Sequence, residues 1–168
     1  YKIKHIKVNN INDSENINLI KKIKPDLILV MGWSQLIKKE IIEIPKLGVI
    51  GSHPTELPKF RGRAPIPWSI IKGLKKSALT FFYISDGIDD GDIIVQKKFL
   101  ITKNDDASSI YKKITTLGKK MLLQTLPLIE NQTAPRIKQN PEHHIEDWSK
   151  RNPEDGKIDW SKSANEIS

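Results

Sequence analysis

Gly48-Val-Ile-Gly-Ser-His53-Pro-Thr-Glu-Leu-Pro-Lys-Phe-Arg-Gly-Arg-Ala-Pro-Ile-Pro-Trp68 is the stretch that decides how this chain is read. Gly48 to Ile50 has the apolar density of a buried strand, and His53 lies just past its end. The following loop is dense in proline, glycine and arginine before a short helix expected over Ala64 to Lys72, with Pro65 and Pro67 in its first turn. Upstream, Leu27 to Met31 is a second buried strand, and Gly32-Trp33-Ser34 turns into a helix expected over Gln35 to Ile42. Downstream, Leu79 to Ile84 and Ile93 to Leu100 read as strands flanking the acidic turn Asp86-Gly-Ile-Asp-Asp-Gly-Asp92.

The remaining elements follow by period. Ile3 to Val8 alternates like a strand, and Ser14 to Lys24 carries a helical apolar face with Asp13 or Ser14 as N-cap. Asn104 or Asp105 caps a long helix to about Glu130, with Ile110, Ile114, Leu117, Met121 and Leu122 on one stripe. Alternating strands and helices predict an α/β fold with a mainly parallel sheet and flanking helices. Residues 1–130 are expected to be the catalytic core. Residues 131–168, polar and proline-rich, are expected to be a linker and the start of a further subdomain. In such sheets ligands sit beyond the carboxyl ends of the strands, where Gly32, His53 and the acidic turn all fall.

The bulk numbers narrow the function classes. No apolar run is long enough to span a bilayer. The chain has no cysteine, which excludes disulfides and thiolate chemistry and fits a cytoplasmic protein. The Asn12 and Asn131 triplets resemble glycosylation sites but come without a secretion signal. Net charge is +8, yet the lysines are scattered in pairs such as Lys21-Lys22 and Lys119-Lys120, with no basic run interleaved with aromatics. A nucleic-acid partner is therefore not expected, whereas a phosphorylated small molecule is compatible with the charge. Neither a Gly-x-Gly-x-x-Gly fingerprint nor a Walker loop is present. His143-His144 beside Glu146 lacks further ligands at useful spacing, so no metal is expected.

The chemistry gathers on His53. An imidazole there can donate to a developing oxyanion or shuttle a proton near neutral pH. Asp89 is the first candidate partner, with Asp86, Asp90 and Asp92 as competitors, and carboxylates crowded in one turn raise one another's pKa. Arg61 and Arg63, either side of Gly62, could clamp a phosphate or carboxylate, or could simply face solvent.

These residues resemble the formyltransferases that use 10-formyltetrahydrofolate, a family including methionyl-tRNA, glycinamide ribonucleotide and sugar N-formyltransferases. Pro25 to Trp33 is similar to the strand and turn that begin the folate pocket, and His53 to Trp68 to the catalytic-histidine loop. Thr80 to Gln96 is similar to the strand–turn–strand carrying the catalytic aspartate, and Asn152 to Trp160 to the connection into a C-terminal subdomain. The resemblance implies His53 and Asp89 as catalytic residues and a pterin lying against Met31, Gly32, Trp33, Asp86, Gly87, Ile88 and Gly91. It further implies an acceptor near Arg61, Gly62, Arg63 and Pro65, and it requires no metal. The acceptor is expected to be a nucleotide-linked amino sugar. Alternatives are the amine of methionyl-tRNA, a hydrolase using water, or a folate-binding relative without turnover; a homodimer is compatible with any of them.

Two departures accompany the resemblance. The family's asparagine two residues before the histidine is replaced by Gly51. Either its amide is replaced by Gln35, Ser52 after a local twist, a backbone N–H or a water, or catalysis is weakened, and an asparagine restored at position 51 is expected to fit. The family's first strand and its glycine-containing turn are also missing, and the chain stops at Ser168, so it is expected to be a fragment.

Overall fold

The computed structural model describes residues 3–167. Helix α1 (Ser14–Ile23) follows Asp13 as N-cap and ends where Lys24 takes a left-handed conformation. Strand β1 (Ile28–Val30), helix α2 (Lys39–Ile42) and strand β2 (Val49–His53) form a crossover unit whose two strands pair in parallel. After β3 (Phe60–Gly62) and α3 (Pro65–Ile71), β4 (Lys76–Tyr83) and β5 (Ile93–Leu100) complete a sheet of order β1-β2-β4-β5. The long helix α4 (Ala107–Glu130) covers one face. Beyond it lie β6 (Glu146–Trp148) and a short terminal helix α5 (Ala164–Ile167).

The α/β class is as expected, but the sheet is mixed rather than mainly parallel. β4 and β5 are joined directly by the acidic turn, so they can only pair antiparallel. The chain also returns from α3 to set β4 antiparallel to β2. Two other expectations shift. Residues Ile3 to Val8 form no strand; Ile3 is 82% exposed, and alternation without a pairing partner yields no ladder. Helix α2 begins at Lys39 rather than Gln35, because Gln35 is drawn into bonds with the N-terminal segment.

The core follows from the period. Ile50, Leu79, Phe81 and Ile94 point from the sheet onto Met121 and Ile129 of α4. Ile114, Leu117 and Leu122 of the predicted stripe flank this contact, and Ile110 joins Ile66 and Ile101 in a second cluster. Asp106, one residue later than expected, caps α4 in a reciprocal capping box with Ser109. Asp105 instead accepts from Lys113 Nζ at 2.6 Å and from the Thr102 amide at 2.7 Å, and these donors hold its carboxyl below the usual range.

Residues beyond Asn131 run back along the domain. Ile137 exchanges two backbone hydrogen bonds with Ile93, at 2.8 and 3.0 Å. β6 pairs in parallel with β3, and the Trp148 ring stacks on Phe60 with centroids 4.6 Å apart.

Candidate active site

On β2 the side chains alternate. Ile50 faces α4, so Gly51 and His53 face the opposite side, where their antiparallel partners are Phe82 and Thr80. His53 is only 5% exposed. Its Nδ1 lies 3.4 Å from Asp89 Oδ2, and its Nε2 lies 3.1 Å from the Phe60 carbonyl oxygen. The same carbonyl accepts from the Thr55 hydroxyl at 2.6 Å. Thr80 Oγ1 in turn donates to the Thr55 carbonyl at 2.7 Å and accepts from Gln96 Nε2 at 2.9 Å. A buried polar chain thus underlies the imidazole and fixes its plane.

This geometry has a chemical consequence. Two acceptors, a carboxylate oxygen and a carbonyl oxygen, face the two ring nitrogens, but a neutral imidazole has one N–H. Burial pushes the His53 pKa below its ordinary value of 6.5, while Asp89 and the Phe60 carbonyl oppose that shift. The ring is therefore held neutral near pH 7 with one acceptor contact unmet. A proton arriving on its bare nitrogen converts that contact into a charge-assisted hydrogen bond.

Asp89 sits in the turn between β4 and β5 with φ +50°. Its Oδ2 also accepts from the Gly62 amide at 2.9 Å. Of its competitors, Asp90 bonds to the Ser85 hydroxyl. Gly62 has φ +95°, and a Cβ there would collide with the Trp148 carbonyl oxygen, so glycine is required where β3 meets β6. A Cβ at Gly91 would likewise collide with the Tyr83 carbonyl oxygen, which keeps the acidic turn tight against β4.

The arginine loop is tied down on both sides. Arg61 directs Nε and Nη2 onto Gln139 Oε1, at 3.2 and 2.9 Å. Arg63, exposed, donates from Nη2 to the Ser34 carbonyl at 2.7 Å, linking this loop to the turn after β1. Pro65 opens α3, directly after Ala64 in a left-handed conformation. Trp33 (44%) and Ile88 (52%) stand partly exposed on the β1 and acidic turns, as does Met31, while Gly32 takes φ +63°. His144, from the histidine pair, faces Asp147 Oδ1 at 3.0 Å.

Position 51 is bounded by side chains rather than by backbone. An ideal Cβ on Gly51 would lie 3.0 Å from the tip of the Phe82 ring and 3.1 Å from Ile84, so a side chain there requires those two side chains to give by a few tenths of an ångström. Gln35 is not placed to supply a missing amide: its Oε1 accepts from the Ile11 amide at 2.9 Å and its Nε2 donates to the Asn9 carbonyl at 2.6 Å. Ser52 alternates to the α4 side of the sheet, opposite to His53. The sequence reading missed Thr55, Thr80, Gln96 and Gln139. Alternation along β2 and β4 could have placed Thr80 beside His53, whereas nothing local marks Gln139.

Among the described residues no helix is long and apolar enough to cross a membrane. The formyl transferase family model matches residues 2–126, and the chain belongs to that family. It is 44% identical over 130 residues to a methionyl-tRNA formyltransferase of Clostridioides difficile (strain 630), covering 77% of this chain and 42% of that protein. The chain thus spans under half the length of this curated relative. Among solved structures, the methionyl-tRNA formyltransferase from Clostridium thermocellum superposes with a TM-score of 0.70 at 26% identity, covering 96% of this chain and 66% of that one. The formyltransferase PseJ from Anoxybacillus kamchatkensis, in complex with UDP-4,6-dideoxy-4-formamido-L-AltNAc and tetrahydrofolate, gives 0.64 at 26% identity, covering 88% and 72%.

Proposed function

We propose that this chain transfers a formyl group from 10-formyltetrahydrofolate to a primary amine, with His53 and Asp89 at the reacting centre. The buried, neutral imidazole between the Asp89 carboxylate and the Phe60 carbonyl carries this reading. The amine nitrogen attacks the formyl carbon, and His53 accepts the proton that the amine loses. The new N–C bond forms first, giving a tetrahedral intermediate with its negative charge on the formyl oxygen; the carbonyl re-forms as the bond from carbon to folate nitrogen breaks, and the proton passes from the His53–Asp89 pair to that leaving nitrogen. Asp89 orients the ring and stabilises its transient charge. The part-exposed apolar side chains of Met31, Trp33 and Ile88, with the backbone of Gly32, Asp86, Gly87 and Gly91, offer a surface for the pterin. Arg63, the Arg61 Nη1 group that Gln139 leaves free, Gly62 and Pro65 would face the acceptor. A cytoplasmic location goes with this chemistry.

For the acceptor, the 44% identity to a methionyl-tRNA formyltransferase favours the amine of methionyl-tRNA. The nucleotide-linked amino sugar expected from the sequence is the second reading, favoured by the likeness to PseJ and its formylated nucleotide sugar. The full-length protein, incubated with 10-formyltetrahydrofolate and each acceptor in turn, decides between them. Mass spectrometry should show gain of one formyl group on methionyl-tRNA, abolished in His53→Ala. Gain on amino sugars alone would reverse the order, and no gain on either would overturn the assignment.

A further inference from the structure

Gln139 approaches the site from outside the segment that carries the histidine loop and the acidic turn. Its Nε2 donates to the Asp89 carbonyl at 2.7 Å and to the Gly91 carbonyl at 2.8 Å. Its Oε1 accepts the two bonds from Arg61. The partners fix which way round the amide sits, because a flipped amide would aim oxygen at two carbonyls and NH2 at a guanidinium. Both bonds fix the chain as it leaves Asp89, one at its own carbonyl and one at the carbonyl two residues on, and Asp89 holds a left-handed φ of +50°, a conformation that costs a non-glycine residue energy unless its surroundings hold it.

We propose that Gln139 is a positioning residue, whose amide holds the Asp89 backbone in its left-handed conformation and so sets the carboxylate against His53 and the Gly62 amide. Arg61 acts in the same device by orienting the amide. The arm does not depend on Gln139 for its own place. The backbone pair at Ile137 and Ile93 anchors it two residues before, and the β3–β6 pairing anchors it after. Removing the side chain therefore releases the turn and leaves the arm seated.

The inference rests on the formyl-transfer reading for its kinetic arm only. In the full-length protein, Gln139→Leu should lower kcat by ~10-fold or more, a larger effect than its rise in KM for the folate, because Asp89 acts on the chemical step while the rest of the turn only lines the pterin surface. Gln139→Glu, nearly the same size and still an acceptor for Arg61, loses the donors and should show the same loss; it also serves if Gln139→Leu fails to fold. In an Asp89→Asn background the Gln139 substitutions should cost nothing more. By NMR the His53 imidazole should titrate at lower pH in Gln139→Leu, because the carboxylate that raises its pKa has moved away without a new charge being added. Full kcat with unchanged His53 titration, or an equal loss in both backgrounds, would overturn the proposal. The titration needs no substrate, so a wild-type protein without formyl transfer would defeat the functional reading while this test still stands.

Discussion

His53 Nδ1 and Asp89 Oδ2 stand 3.4 Å apart, and the oxygen that faces the ring is the one that accepts the Gly62 amide at 2.9 Å. One oxygen thus joins three segments: the end of β2, the arginine loop and the acidic turn. Anything that shifts the loop or the turn changes the field at the imidazole.

Thr55 is fully buried, and its hydroxyl shares the Phe60 carbonyl with His53. Thr55→Val keeps the shape and removes the donor. Thermal or urea denaturation should show a loss of about 1 kcal/mol, and Thr55→Ser should restore most of it. Equal stability in the valine variant would show that the shared carbonyl does not depend on Thr55.

Position 51 offers little room for a side chain. With Phe82 and Ile84 at 3.0 and 3.1 Å from an ideal Cβ, Gly51→Asn should destabilise the fold by about 1–3 kcal/mol through overpacking. Adding Phe82→Leu should recover part of that loss. Wild-type stability in the single variant would mean that the Phe82 ring moves aside freely.

The pH dependence of stability follows from the lowered His53 pKa. Above the unfolded pKa of about 6.5 the ring is neutral in both states and imposes no penalty. As pH falls below that value the unfolded chain takes the proton first, and stability declines until the folded pKa is reached. Denaturant titrations of wild type and His53→Gln, compared between about pH 8 and pH 5, should show the wild type losing its advantage on the acid side. Parallel curves would contradict a buried neutral imidazole.

Much of the architecture was legible because its signals are local. The apolar runs before Gly32 and His53, the stripe on α4 and the glycine-flanked acidic turn each report on a neighbourhood of a few residues. Three-residue β3 and β6 were not legible: Phe60–Gly62 sits in a loop without alternation, and its partner lies 86 positions further along the chain (Phe60 with Glu146). Ile3 to Val8 shows the reverse error, alternation without a partner strand. The site divides in the same way. His53 and Asp89 stood out by residue type and placement, whereas Gln139 looks like any polar residue until the arm folds back and brings its amide to Asp89. At position 51 strand alternation gives a side chain's direction but not how far Phe82 and Ile84 must give to admit it.

The most direct test of the central claim is the rate of formyl transfer from 10-formyltetrahydrofolate in the full-length wild type, His53→Ala and Asp89→Asn proteins, each checked for native folding. Turnover should fall by at least ~10²-fold in both variants, the scale of a lost general base and its orienting partner. Near-normal turnover in either folded variant would show that the His53–Asp89 pair does not carry the reaction.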